Sequence, residues 1–297
     1  MLVVPDINNL FLPLSQSKLF VKYSECTGII DNLLDKLPLM FGQSKVNECA
    51  GGAALEAAAV ALEGTAGKCL YFVSSLCTVG PGKLNKRDQP TIIGTDKEKS
   101  LYQSQDPFYQ NIAEKCVKNS TCIDLFLFPF AFMDVATLAI VSKLTGGQIY
   151  FYPHFNIKHA HKLMVELQRN VQRNFGMQAL MRVRCSRGIL FNDKLTKSGL
   201  TVSNQFGNFF LKGSNEMELA GIDCDKSFCI EIKYDDKLDE KSEPCFQCAL
   251  LYTTKAGERR IRVNTLSLTC TSVLGNLFKA ADCDTILNFF ARTGKYI

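Results

Sequence analysis

The sequence has no long hydrophobic run, no basic leader and only a modest share of charged residues. Its longest apolar stretch, Leu125 to Met133, is about half the ~18 residues that a membrane-spanning helix needs, and it contains a proline. The N-terminal string MLVVPDINNL lacks the basic region of a secretory signal. Charged residues make up 21% and hydrophobic residues 46%, which excludes wholesale disorder. We therefore expect a soluble globular chain.

Histidine is scarce, which limits acid–base catalysis. The only three are His154, His159 and His161, and any Ser/His/Asp or Cys/His site would need one of them as its base. The last two are two positions apart on a predicted helix, so they point in different directions and make a poor metal pair. There is no G-x-S-x-G elbow, and Gly67-Lys68 lacks the earlier glycine of a phosphate loop. No catalytic residue is assigned.

Cysteine is abundant, but its distribution excludes a disulfide framework. The thirteen cysteines are an odd number, and most lie in apolar runs, which favours a reducing compartment, the cytosol. One C-x-x-C, Cys245 to Cys248, leads into a strand pattern, which places its two thiols on opposite faces. Adding Cys224 and Cys229 does not give a standard zinc spacing. We interpret these thiols as packing residues and expect no metal.

Up to about residue 175, short apolar runs alternate with helical patterns. Predicted strands are Leu2–Val4, Cys69–Val73, Ile123–Phe128 and Ile149–Tyr152. Predicted helices are one stopped by Pro38, then Gly52–Glu63, one opened by Asp106-Pro107, Asp134–Leu144 and Asn156–Asn174. Apolar strands that are each followed by a helix are typical of a parallel sheet buried on both faces. This part is predicted to be α/β.

Near Gly176 the pattern changes to alternation with a period of two. Predicted strands are the Met181–Cys185 run, Phe206–Leu211, Phe228–Tyr234, Cys248–Thr253 and Arg259–Leu268, with a helical period returning over Val273–Ala291. We therefore predict an antiparallel sheet or sandwich followed by helix. The domain limits predicted are 1–175, 176–269 and 270–297.

Positive charge is concentrated in the ordered elements, within a net charge of +5. Arg182 and Arg184 share one strand face, and Arg260 and Arg262 share another. Four further cations are predicted to line the outer side of the helix after residue 156, opposite an apolar inner side that includes Met164 and Val171: Lys158, Lys162, Arg169 and Arg173. Such faces are either solvated or bind carboxylates and anionic surfaces, and they do not demand nucleic acid.

Several strings occur together and in order. They are TDKEKSLYQ, IDLFLFPF, LTGGQIYFYP, LMRVRCSRGI, ELAGIDCDKS and CALLYTTKAGERRIRVNTL. As a set they resemble the cargo-adaptor subunit of the COPII vesicle coat, along essentially the whole chain. The resemblance implies a von Willebrand A-like α/β trunk, here incomplete, then an antiparallel β-sandwich segment and the start of a helical domain. It also implies that the family's zinc-binding module lies upstream, so no cofactor is expected in this chain.

The resemblance further implies a non-enzymatic subunit, peripheral on the endoplasmic reticulum membrane. Its expected partners are the coat's GTPase-activating subunit, the cytosolic tails of cargo and fusion proteins, and an anionic membrane surface. The family's cargo pocket maps to Ile189, with Arg184 and Arg182 nearby. The other cations are expected to face membrane or partner: Arg260, Arg262, Lys158, Lys162, Arg169 and Arg173.

Two other classes remain as alternatives. An α/β hydrolase-like enzyme would need titratable groups that meet in a cleft. A metal-dependent adhesion-type module would need a D-x-S-x-S loop after the first strand, and Asp6-Ile-Asn-Asn is not one.

Overall fold

The computed structural model describes residues 6–8, 10–186, 200–213, 216–234 and 243–294. The helices are α1 (Gln16–Leu19), α2 (Tyr23–Phe41), α3 (Gly51–Ala61), α4 (Phe108–Lys118), α5 (Val135–Thr145), α6 (Ala160–Gln172), α7 (Leu274–Ala280) and α8 (Cys283–Thr293). The strands are β1 (Gly67–Val73), β2 (Thr121–Leu127), β3 (Ile149–Phe151), β4 (Phe175–Cys185), β5 (Leu200–Phe206), β6 (Phe210–Lys212), β7 (Glu216–Asp223), β8 (Cys229–Tyr234), β9 (Cys245–Thr254) and β10 (Arg259–Ser267). Short 3₁₀ helices span Asp96–Tyr102 and Ile157–His159. The predicted strand Leu2–Val4 lies outside the described residues.

The first sheet is parallel and has the order β1-β2-β3. Every residue of the central strand β2 is buried, as its continuous apolar sequence predicts. Helices α4 and α5 pack beside each other and against β2, and their inner faces join the strands in one core. Its largest fully buried side chains include Tyr109, Leu125 and Leu138. The predicted α/β class of this region is confirmed.

The second region is antiparallel and has two layers. Five strands form a sheet of order β10-β9-β4-β7-β6, and β5 pairs with β8 in a second sheet. Ile230 of the smaller sheet and Phe228, just before β8, pack on a buried cluster that includes Met181, Met217 and Leu219. The predicted sandwich segment is therefore confirmed.

One predicted strand is wrong. Phe206–Leu211 is divided between β5 and β6, which belong to different sheets. The chain turns at Gly207, where φ is +156° and a Cβ would lie only 2.7 Å from Phe228 Cδ1. The turn is therefore reserved for glycine, and the aromatic residues around it follow two different sheets. Strand β7 was not predicted at all.

The terminal helices carry few tertiary contacts. Helix α2 does not stop at Pro38 as predicted but continues to Phe41 and Gly42, whose N–H bonds to Pro38 O at 2.8 Å. A proline removes one helical hydrogen bond and leaves the following turn free to form. The C-terminal helical pattern is two helices, because the Asp282 side chain caps α8 by accepting from Thr285 N at 2.8 Å. Neither α2, α7 nor α8 has a buried residue.

Candidate functional site

The junction between the parallel sheet and the sandwich is built around a buried carboxylate in β2. Asp124 Oδ2 lies 2.6 Å from Lys68 Nζ and accepts from Asn170 Nδ2 at 2.6 Å. Its Oδ1 accepts from the backbone N–H of Gln148 at 2.7 Å. A carboxylate that is 1% exposed needs such partners, because an unpaired buried charge is very costly. Asp124 therefore ties β1, α6 and the approach to β3 together.

Arg173, at the end of α6, extends this network into the sandwich. Its Nη2 lies 2.9 Å from Asp223 Oδ2 at the end of β7 and 3.8 Å from Asp124 Oδ2. Its Nη1 donates to Gln148 Oε1 at 2.8 Å and lies 3.3 Å from Asp225 Oδ2. The guanidinium is 4% exposed, so three carboxylates from two domains share one buried cation.

The placement of Arg173 on an exposed helix face is thus a wrong prediction. The inner side of α6 is formed by Leu163, Leu167, Asn170 and then Arg173, whereas Met164 and Val171, expected inside, are 64% and 58% exposed. Helix α6 is rotated about its axis relative to the prediction, because its inner face meets a charged junction and not only an apolar core. This geometry gives Arg173 no access to a membrane or a partner.

The chain approaches itself closely at the same junction. Lys226 Nζ lies 3.6 Å from Asp223 Oδ2 and donates to Gly147 O at 3.1 Å, while Asn208 Nδ2 donates to the same carbonyl at 2.8 Å. Burial lowers the pKa of Lys226. A Cβ on Gly147 would lie 1.8 Å from the carbonyl oxygen of Ile123. Glycine is required there for the segment before β3 to lie against β2.

Arg169 forms the outer edge of the network. Its Nε and Nη2 donate to the Asp225 carboxylate at 2.9 and 2.7 Å, in a bidentate pair. This hydrogen bonding lowers the pKa of Asp225 to about 2. Arg169 is 68% exposed, so it lies on the surface as predicted while bonding across the domain junction.

The remaining helix cations face outward. Lys158 is exposed at the start of the helical segment. Lys162 is 60% exposed and lies 3.9 Å from Glu166 and 5.4 Å from the centre of the Tyr152 ring. Both lysines therefore stand on the accessible side of the trunk. His159 Nδ1 accepts from Asn156 N at 3.2 Å in a helix cap, so its imidazole has a structural partner.

Arg260 and Arg262 line a groove of about 660 Å³ at one end of the five-stranded sheet. Its apolar wall includes Leu250 and Tyr252, which pair across β9–β10 with Arg262 and Arg260. Arg260 Nη2 is bonded to Glu258 at 2.5 Å. Among the described residues, Arg262 has no salt-bridge partner. The groove thus combines one ion pair, a second guanidinium and an apolar wall.

Arg182 and Arg184 lie near the other end of that sheet, where β4 ends beside β9. Arg182 forms an ion pair with Glu216 across the strand pair. Arg184 is exposed and pairs in register with Gln247, and within the described part of the chain it makes no salt bridge. Ile189 lies outside the described residues. The two arginines share a strand face, but within the described residues only Arg182 forms an ion pair.

Sequence reasoning missed three carboxylates and one lysine of the junction: Asp124, Asp223, Asp225 and Lys226. Asp124 stands alone in an apolar strand, which is a signal of a buried, paired charge. Asp223, Asp225 and Lys226 lie in the GIDCDKS string, which was noted only for its resemblance.

The cysteines of the C-x-x-C do not lie together with a third ligand. Cys245 is exposed at the start of β9, and Cys248 packs against the sandwich core, where burial raises its pKa. Across the described ranges, no group of three or more His, Cys, Asp or Glu side chains is arranged to hold a metal ion. In the same ranges, no helix combines the length and hydropathy needed to cross a bilayer.

Two family models match consecutive parts of this chain. The family model of the Sec23/Sec24 trunk domain matches residues 1–171, and that of the Sec23/Sec24 beta-sandwich domain matches residues 176–271. The chain therefore belongs to the Sec23/Sec24 family. The resemblance to the COPII cargo-adaptor family is confirmed, whereas the domain limits and the cargo residues drawn from it stay predictions.

Individual relatives are similar over almost the whole chain. Human "Protein transport protein Sec24C" is 40% identical over 296 residues, which are 98% of this chain and 26% of that protein. Arabidopsis thaliana "Protein transport protein SEC24 A" is 38% identical over 294 residues, 98% of this chain and 27% of that protein. The crystal structure of the human COPII-coat protein Sec24c superposes with a TM-score of 0.87 at 39% identity, over 98% of this chain and 38% of that one. The chain thus spans about a quarter of the length of these two curated relatives.

Proposed function

We propose that this chain is a non-enzymatic part of a COPII coat subunit that selects cargo for transport from the endoplasmic reticulum to the Golgi. It would do so by binding cytosolic sorting signals while peripheral on the membrane. The observation that carries this proposal is the match to both family domains in order, and the junction around Arg173 joins those two domains through buried charges. A rigid junction holds the exposed cations of both domains in fixed positions, which recognition of short flexible tails requires.

For the cargo signal we propose Arg184 and Ile189, with Arg182 as a supporting residue. A sorting tail with acidic and apolar residues needs a cation for its carboxylate and an apolar contact for its side chain. Arg184 is exposed and makes no salt bridge within the described residues, so its guanidinium is available, whereas Arg182 is already paired with Glu216. Arg184 is therefore the residue that we expect to meet the carboxylate.

The test is a titration of a fluorescent cargo-tail peptide against the chain bound to the coat's GTPase-activating subunit. Losing a charge-assisted hydrogen bond costs ~1.5–3 kcal/mol, so Arg184→Ala should weaken binding roughly ten- to a hundred-fold. Ile189→Trp should also block the peptide while the coat partner stays bound. The matched control is Arg262→Ala, an exposed arginine at the other end of the same sheet. Unchanged affinity in both cargo variants would reject this site.

For the membrane we propose the exposed cations Lys158, Lys162, Arg169, Arg260 and Arg262. Each basic residue near an anionic surface adds ~1 kcal/mol, screened by salt. Liposome binding should therefore rise with anionic lipid and fall from low to physiological salt. Arg262→Ala should reduce liposome binding and leave peptide binding intact, which is the reverse of the expectation for Arg184→Ala. Binding that is indifferent to salt would exclude the electrostatic proposal.

For the partner we propose that the trunk pairs with the GTPase-activating subunit of the inner coat. Support comes from the family membership and from the buried core that the trunk forms around β2. A pull-down of the two purified proteins tests it, and failure to co-purify would count against the coat assignment itself.

We also infer that the chain holds no zinc or other cofactor. The described cysteines lie apart or pack into cores, which supports this view. Elemental analysis of the purified protein should find no stoichiometric zinc. One zinc per chain would instead favour the set Cys224, Cys229, Cys245 and Cys248.

A further inference from the structure

Cys49 and Cys77 are neighbouring thiols, one just before α3 and the other in the first part of the loop after β1. Thr78 N donates to Cys49 O at 2.9 Å, and Val79 N donates to the same carbonyl at 3.2 Å. These bonds hold the two chain segments side by side at Cys49 and Cys77. Disulfides require such neighbouring backbones, with Cα atoms roughly 4.4–6.8 Å apart.

Both sulfur atoms lie close to Gly51, which has no side chain to fill the space between them. A Cβ on Gly51 would lie 2.3 Å from Cys77 Sγ and 3.5 Å from Cys49 Sγ. The Cys77 thiol is fully buried in the trunk core, against which Cys49 also packs. Tyr71 closes the inner side, with its hydroxyl 3.8 Å from Cys77 Sγ. Cys49 is only partly buried, so one member of the pair faces inward and the other is reachable from solvent.

The two thiols differ in pKa because their surroundings differ. The neighbouring Cys77 thiol, with smaller contributions from Ser75 and the Gly51 backbone, lowers the pKa of Cys49 to about 6. The neighbouring Cys49 sulfur and burial raise the pKa of Cys77. Because a thiolate is the nucleophile in thiol chemistry, Cys49 is the reactive member near neutral pH.

We propose that Cys49 and Cys77 form a thiol modification site that reacts with small disulfides, with Cys49 as the attacking and Cys77 as the resolving residue. The Cys49 thiolate attacks one sulfur of glutathione disulfide, the S–S bond breaks, and one glutathione leaves as thiolate. That leaving thiolate takes up the proton that Cys77 loses. The Cys77 thiolate then attacks Cys49 Sγ and displaces the second glutathione. Two protein thiols are thereby oxidised to one disulfide, and one glutathione disulfide is reduced to two thiols.

The second step is helped by the first. The neighbouring Cys49 thiolate, together with burial, raises the pKa of Cys77. Once Cys49 carries glutathione, its negative charge is gone, and Cys77 loses its proton more readily. The pair is thus arranged so that capping the outer thiol activates the inner one.

The probe is glutathione disulfide, added to the native 297-residue chain and followed by alkylation of remaining thiols and chymotryptic mass spectrometry. Cleavage after Tyr71 or Phe72 separates Cys77 from Cys69, which allows the pair to be identified. We expect a Cys49–Cys77 link to form before any other pair and to be reversed by dithiothreitol. Cys77→Ser should instead accumulate glutathione on Cys49, and Cys49→Ser should leave Cys77 reduced.

The matched control is Cys69→Ser. Cys69 packs against the same core, but burial and the nearby Asp124 raise its pKa to about 11, so its removal should change nothing. Circular dichroism of each variant checks that it folds. The proposal is overturned if no Cys49–Cys77 link forms in the folded wild-type chain. It is equally overturned if Cys49, below neutral pH, is alkylated no faster than the exposed Cys245.

Discussion

Two regions of this chain carry arginines that look alike in sequence but occupy opposite environments. At the trunk–sandwich junction, Arg173 is 4% exposed and shares three carboxylates. On the sandwich, Arg184 and Arg262 are exposed and, within the described residues, make no salt bridge. Loss of a charge partner at the buried junction strongly lowers the stability of the fold, whereas loss of a partner on the exposed surface of the sandwich lowers it little. Charge at the junction therefore serves architecture, while charge on the sandwich is free for binding.

Removing the buried cation should have the largest effect. Arg173→Met leaves Asp223 with Lys226 alone and removes the link to Asp124 and Gln148. Breaking a buried pair from one side costs ~3–5 kcal/mol, so the free energy of unfolding in urea should fall by about 3 kcal/mol. The double variant Arg173→Met with Asp223→Leu serves as the control, since it removes both charges and should recover part of the loss. A single variant as stable as the wild type would show that the junction is not held by charge.

Lys226 should have an intermediate effect. Lys226→Met removes the hydrogen bond to Gly147 O and one of the two cations near Asp223, while Arg173 stays in place. Gly147 O still accepts from Asn208 Nδ2, so the loss is that of one hydrogen bond from a charged donor, and we expect about 1–2 kcal/mol. Denaturant unfolding at constant pH measures it. A loss equal to that of Arg173→Met would mean that the two cations act as one unit.

Arg169 should have a small effect that depends on pH. Its pairing lowers the folded pKa of Asp225 to about 2, below the ordinary value of 3.8. A lowered carboxyl pKa contributes stability that is present above the unfolded pKa and lost as pH falls through the folded pKa, here from about 4 to about 2. Arg169→Ala should raise the pKa of Asp225, which NMR titration of its carboxyl measures, and should lower stability only slightly near neutral pH because the pair is exposed. An unchanged pKa would mean that Arg173 alone sets it.

Arg262 should have the smallest effect on stability. An exposed residue that makes no salt bridge in the described region should change the free energy of unfolding by no more than ~0.5 kcal/mol on replacement with alanine. The same Arg262→Ala variant should still weaken liposome binding, so stability and binding separate at this residue. Thermal unfolding recorded beside the liposome assay checks both. A marked loss of stability would place Arg262 with the junction arginines.

Local sequence patterns, such as apolar runs and capping residues, predicted the helices and strands of the trunk. Strand β2 is apolar throughout and is buried throughout, and α5 lies within one residue of its predicted range because its Asp134 cap and its Gly146 end are chemical signals in the sequence. The set of sequence strings, in their order along the chain, also indicated the family. These properties depend on neighbours in sequence, which is why they could be read without a structure.

Only the tertiary structure decided which charges lie inside. Periodicity placed Met164 and Val171 on the inner face of α6 and Arg173 outside, and it joined Phe206 to Leu211 in one strand. Both predictions were wrong because the deciding partners, Asp223 for Arg173 and Phe228 at the Gly207 turn, come from other strands or connections far along the chain. The pairing of Cys49 with Cys77 likewise needs the loop after β1 to return to the start of α3. A sequence can state that a side chain is charged or reactive, but burial and the partner that offsets its cost exist only once distant segments are brought together.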